Sequence, residues 1–302
     1  FGSRCFGPRC FPMPPDRFTA ILAVTSLWPP TAKWCWAVTN FQIAVCICVH
    51  CTCSIGPKFE AIKQDELLLF ESARRVLIVP FALVALYGLS EMFSKMPREK
   101  PLVISWVVML EFSVQISYYT LLSFGYGLPY QNQRCYDSRP IYATRWIGWS
   151  LGIPTLIFMN LYPLANQKAI NVFGRLVPQM AASSTYCWSC FLGCVVCEPW
   201  IGWSLNLLGC IAYIIVVIDE VFFVRDYILS TQMPALKGYS IIVKEVMFGV
   251  YTGVWLMGLG NFASSYACQR FYTVSDISLK ATMAFLLFLY WTCGEETETK
   301  KC

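Results

Sequence analysis

Seven apolar stretches of about twenty residues each follow one another from residue 74 to residue 293, parted by short polar segments. A run of that length can cross the ~30 Å hydrocarbon core of a bilayer as a helix. Hydrocarbon offers a backbone no hydrogen-bond partner, so a helix that satisfies its own N–H and C=O groups is the natural solution. The stretches cover roughly 74–94, 101–124, 141–164, 174–197, 200–224, 241–264 and 273–293, with a turn at Glu198-Pro199 before the fifth. Composition agrees, because 57% of the residues are hydrophobic and only 14% are charged. A soluble globular chain carries about 25% charged residues. These features exclude an ordinary soluble domain and predict an all-α membrane protein, a seven-transmembrane-helix bundle in the lipid bilayer.

Lys and Arg orient the bundle. If the connections after the first, third and fifth spans and the C-terminus face the cytoplasm, that side carries Lys95, Arg98, Lys100, Lys168, Arg175, Arg225, Lys237, Lys244, Lys300 and Lys301. The other side carries Arg134, Arg139 and Arg270. Ten against three is a positive-inside bias, so residues 295–302 are expected to form a cytoplasmic tail. Residues 58–73 are then a charged extracellular linker, ahead of a seven-helix domain over 74–294. Residues 34–57 contain no Lys, Arg, Asp or Glu and are long enough for an extra N-terminal helix. A signal region is the competing reading. Residues 1–33 carry Arg4, Arg9, Arg17 and Lys33 against Asp16, which suits a poorly ordered cytoplasmic leader.

The 16 cysteines lie mostly inside apolar runs, where Cys behaves as a small hydrophobe. Cys187, Cys190, Cys194 and Cys197 imitate paired metal-ligand spacing. On a continuous helix they form one stripe spread over ~15 Å, too long to converge on one ion. A stripe of small residues lets helices approach closely instead. His50, the sole histidine, sits among Cys46, Cys48, Cys51 and Cys53; no metal site is expected there either. No phosphate-binding glycine loop and no HExxH motif occurs. The chain is therefore expected not to be an enzyme and to have no nucleic-acid partner.

The last span carries "SDISLK", with Asp276 and Lys280 four residues apart. That spacing puts both on one helix face, about one turn apart. Charges in hydrocarbon are expensive, and an intramembrane pair marks function by default. A desolvated lysine is the usual starting point for a Schiff base with an aldehyde, and Asp276 would then be its counterion. A plain ion pair joining helices is the alternative, and the helix pattern alone leaves both open. Glu111 is a further acid in hydrocarbon, on the second span with Gln115, Ser117, Tyr118 and Tyr119. It either lines an ion path or stays protonated and hydrogen-bonded to a neighbouring helix.

The third span, "YATRWIGWSLGIPTLIFMN", supplies Arg145, then Trp149 one turn later, then Pro154. Together with Asp276 and Lys280 these residues resemble the microbial-type (type 1) rhodopsin family, over about residues 74–294. The resemblance implies all-trans retinal bound to Lys280 as a protonated Schiff base, with Asp276 as counterion. It implies that Arg145 sets the extracellular electrostatics and that Trp149 and Pro154 belong to the retinal site. On the sixth span "WLMGLGNF" offers Trp255 and Phe262, seven apart, as the aromatic pair along the polyene.

The departures point away from pumping. Where the family's proton pumps have an acid just before the retinal Trp, this chain has Gly148; where they have a second acid ten residues past it, the chain has Met159. The family's Tyr and Pro after the sixth-span Trp are replaced by Gly258 and Leu259. The expected function is thus a photosensory receptor of the non-pump branch, sensory, enzyme-linked or channelrhodopsin-like, that signals by retinal isomerisation. A light-gated ion channel is the alternative, and a non-photoactive seven-helix protein the third reading. Partners expected from the resemblance are a downstream effector domain or chain, or further copies in a dimer or trimer.

Overall fold

The computed structural model describes residues 53–59, 61–93, 99–135, 139–161, 172–230 and 235–293. Among them are seven helices: α1 Gln64–Met92, α2 Glu99–Ser123, α3 Ala143–Leu161, α4 Val172–Val195, α5 Pro199–Ser230, α6 Ala235–Leu259 and α7 Ser265–Cys293. A short hairpin, β1 Pro129–Gln131 with β2 Pro140–Tyr142, joins α2 to α3 in antiparallel register. The expected leader 1–33, the tail 295–302 and most of the expected extra span lie outside the described residues. Residues 53–57, the end of that span, are not helical: Ile55 bridges Val196, and the Gly56 amide donates to the Val195 carbonyl at 2.7 Å. The first helix starts ten residues before the expected span, so most of the supposed linker 58–73 is helical. Asp65 and Glu66 in its first turn complement the helix dipole.

Local chemistry sets the ends. After α2, Gly125 adopts φ +83°. The Tyr126 amide reaches back to Leu121 O at 2.8 Å and the Gly125 amide to Leu122 O at 3.1 Å. This left-handed C-cap consumes the last carbonyls of the helix and turns the chain into the hairpin. Asn261, at φ 57°, closes α6 the same way, with the Phe262 amide on Met257 O at 2.9 Å. Pro199 opens α5, where its missing N–H is no loss.

Each helix from α1 to α4 packs on the next, α6 packs on α7, and α7 returns to α1. The burial pattern inverts that of a soluble protein. Glu66, Glu111, Asp219, Lys244 and Asp276 are at most 1% exposed, while Leu83, Leu86, Leu207 and Val246 are 60–64% exposed. Charges inside and aliphatic side chains outside are the arrangement for a hydrocarbon surround. Pro199–Phe222 and Ile241–Leu259 are long and apolar enough to cross it. Lys244, expected on the cytoplasmic rim, lies buried in α6, ion-paired to Glu220 of α5 and 3.0 Å from Glu245 Oε1. Beside it Gln179 of α4 donates to Asp219 at 2.5 Å.

Candidate functional site

Asp276 sits at the centre of the bundle with no exposed surface. Its Oδ2 accepts from the hydroxyls of Tyr118 at 2.7 Å and Tyr119 at 2.8 Å, both on α2. Its Oδ1 accepts from Trp149 Nε1 of α3 at 2.9 Å and from the Tyr251 hydroxyl of α6 at 2.6 Å. Four donors from three other helices therefore converge on one carboxylate, and Lys280 Nζ of its own helix adds a longer bond at 3.5 Å. Charge-assisted bonds of this kind are about twice as strong as neutral ones.

Lys280, one turn further along α7, is 4% exposed. Its Nζ lies 3.5 Å from Asp276 Oδ1 and also 3.5 Å from Glu111 Oε1. Glu111 is thus no isolated acid: it has a cation partner, and Thr155 donates to its Oε2. On the other side of Asp276, Arg145 donates to Gln269 Oε1 at 2.7 Å and to Thr273 Oγ1 at 3.0 Å. The guanidinium also packs over the rings of Phe70, Tyr119, Trp149 and Tyr272 at 5.3–5.9 Å. Cation–π contact of this kind helps hold a desolvated guanidinium in place. Two buried cations, Arg145 and Lys280, and two buried carboxylates, Asp276 and Glu111, form one balanced group.

Two glycines explain how α2 reaches this group. A side chain at Gly148 would collide with the ring of Tyr118, and a Cβ at Gly152 would stand 2.7 Å from Glu111 Oε1. Positions 148 and 152 lie one turn apart on α3, and Tyr118 and Glu111 lie two turns apart on α2. Each notch admits one polar side chain of the neighbouring helix.

Lys280 lines a cavity between α3, α4, α5, α6 and α7. Trp149 and Trp255 face it from α3 and α6, with Phe248 and Tyr251 from α6 and Tyr186 from α4. Cys187 and Cys190 also line it, so part of the cysteine stripe makes room for a ligand. An aromatic, mostly apolar cavity with a buried amine in its lining suits a conjugated aldehyde such as retinal.

The structure brings together Lys280, Asp276, Trp149, Arg145, Glu111 and Trp255. Gly148 serves α2 and not the cavity, and Pro154 stands in α3 beside the lining residue Ile153 without lining it. Phe262 is a correction. It lies beyond the end of α6 and is 85% exposed, because Asn261 has already turned the chain. The aromatic partner of Trp255 along the cavity is Phe248, seven residues earlier, not seven later. Gly258 and Leu259 are likewise the wrong register for the missing tyrosine, since Tyr251 already bonds Asp276. The stripe Phe248, Tyr251, Trp255 at i, i+3, i+7 was the sequence signal for this face.

Glu66 also escaped notice: fully buried on α1, it accepts from Tyr142 and, at 3.2 Å, from Ser265. Its sequence neighbourhood reads as an exposed charged segment, which hides it.

No family model matches the sequence, and no curated protein does. Solved structures match across most of the chain. The transmembrane domain of Salpingoeca rosetta rhodopsin phosphodiesterase aligns at 12% identity with TM-score 0.64, covering 85% of this chain and 96% of that one. Thermophilic rhodopsin from Rubrobacter xylanophilus aligns at 18% identity with TM-score 0.62, covering 74% and 94%. Halorhodopsin, a light-driven chloride pump, aligns at 21% identity with TM-score 0.60, covering 74% and 96%. At these identities the likeness is one of fold, and the chain has the seven-helix fold of the microbial rhodopsins.

Proposed function

We propose that the chain is an integral membrane light receptor that binds all-trans retinal at Lys280 Nζ and signals through helix repacking, neither pumping protons nor acting as an enzyme. The observation that carries this reading is a buried amine lining a cavity walled by aromatic rings, with two carboxylates 3.5 Å from its nitrogen. Bound retinal supplies the light-absorbing polyene, whose isomerisation moves charge at its attachment point. The remaining work belongs to the protein. Trp149 and Trp255 orient the polyene, Asp276 holds negative charge beside Nζ, and the tyrosines keep Asp276 ionised. Arg145, held by Gln269 and Thr273, packs over the ring of Tyr119, one of the donors to Asp276.

Gly148 and Met159, where the resemblance expects the pumps' acids, support a receptor over a pump. A match to the transmembrane domain of a rhodopsin phosphodiesterase supports linkage to an effector. A light-gated channel is the second reading, favoured by the buried polar face of α2 that Glu111 and Gln115 share, both 1% exposed. Photocurrents in a patch-clamped cell separate the two.

The deciding experiment is an absorption spectrum of the protein expressed with all-trans retinal, beside Lys280→Ala. A visible band in the wild type, lost in the variant, is expected. Absence of the band from folded wild-type protein overturns the reading and makes Asp276–Lys280 a structural ion pair.

A further inference from the structure

Lys280 has two carboxylate neighbours at equal distance, and their surroundings differ sharply. Asp276 accepts four hydrogen bonds from other helices besides the 3.5 Å one from Lys280 Nζ, so a proton could settle on it only by displacing a donor. Glu111 accepts from Thr155 at Oε2, while Oε1 has no hydrogen-bond donor among the described residues and lies 3.5 Å from Lys280 Nζ. The carboxyl fits because Gly152 leaves it space; a Cβ there would stand 2.7 Å from Oε1 and 2.9 Å from Oε2. On α3, Gly148 carries no acid, and the ring of Tyr118 occupies its notch.

We infer that Glu111 of α2 is the second carboxylate partner of Lys280 Nζ and the group that takes up its proton, a role the third span cannot fill. The inference rests on the retinal reading above. In the transfer the N–H bond at Nζ breaks and its electron pair stays on nitrogen, while an O–H bond forms at Glu111 Oε1. One positive and one negative charge disappear together, so the buried group stays balanced and Asp276 keeps its four donors. Low dielectric favours such a neutralising step, since it removes a pair of desolvated charges. At position 159, where the resemblance expects the pumps' second acid, Met159 cannot return the proton.

Two measurements test this. The first is thermal unfolding of the retinal-free protein in a double-mutant cycle of Glu111→Gln and Lys280→Met. Glu111→Gln is expected to lower the melting temperature when Lys280 is present and to change it far less in the Lys280→Met background. The second is flash-induced infrared difference spectroscopy of the retinal-loaded protein. A carboxylic-acid C=O band is expected to rise in the wild type, to be absent in Glu111→Gln and to return, shifted, in Glu111→Asp. Gly152→Ala, which displaces the carboxyl without changing its charge, is expected to shrink that band at least tenfold. Additive unfolding shifts, or a band unchanged in Glu111→Gln, overturn the inference while a visible band leaves the receptor reading standing. If no visible band forms, the receptor reading fails, and any coupling in the cycle makes the Glu111–Lys280 pair structural and overturns the acceptor role.

Discussion

Phe248 and Phe262 are each seven residues from Trp255, one before it and one after, and the helix ends between Trp255 and the second. Only Phe248 therefore faces the cavity. Truncating a buried phenylalanine typically removes about 3–5 kcal/mol of stability, whereas a surface change away from special features stays within about 0.5 kcal/mol. Phe248→Ala is accordingly expected to lower the melting temperature and move the retinal band, and Phe262→Ala to do neither. Parallel unfolding and absorption measurements on the two variants check this, and a shifted band in Phe262→Ala would restore the later register. Asp276 follows the same logic of position. Four of its donors come from α2, α3 and α6, so its hydrogen bonding depends on three helices meeting α7, beside the contact with Lys280 of its own helix.

At the scale of helices, polar side chains act as joints. The α2–α3 joint uses Tyr118 and Glu111 in the notches of Gly148 and Gly152. The α5–α6 joint is ionic: Lys244, with no exposed surface, pairs with Glu220, and Glu245 lies 3.0 Å away. Removing one partner of a buried pair leaves an uncompensated charge, at a typical cost of about 3–5 kcal/mol, while replacing the whole pair by apolar groups is often neutral. Lys244→Ala is expected to destabilise the protein by that amount. Lys244→Met combined with Glu220→Leu and Glu245→Gln is expected to recover most of the loss. Melting temperatures of the two variants in detergent check it, and equal losses would mean that the pair is not the joint. Apart from this pair, α5 and α6 approach each other sparingly among the described residues.

The whole molecule is a ring of helices turned inside out, with ionisable groups along its axis and aliphatic side chains on its exterior. The hairpin and the leading segment seal one end: the Gln131 amide donates to Pro57 O at 2.9 Å and the Cys197 amide to Ser54 O at 3.0 Å. From the bias of Lys and Arg that end is expected to face outward. That bias survives the loss of Lys244 from the cytoplasmic count, since nine positives still face three. A C-terminal epitope is expected to bind antibody only after cells are permeabilised. Labelling of intact cells would reverse the orientation, and with it the side from which Arg145 is approached.

The sequence by itself determined the number and order of the helices, because a twenty-residue apolar run has few other fates in hydrocarbon. It also exposed Lys280, Asp276, Arg145 and Glu111, since each violates that apolar pattern and the violation is local. Trp149 and Trp255 were legible for a different reason, through their spacing from neighbouring motifs. What the sequence could not decide was which of several equally spaced aromatics faces inward, since Phe248 and Phe262 fit the same period until the C-cap at Asn261 is known. Nor could it pair Glu111 with Lys280, 169 residues apart. That meeting needs α2 pressed against α3 and α7 at once, and the missing side chain of Gly152 makes sense only when the carboxyl that fills its place is seen there.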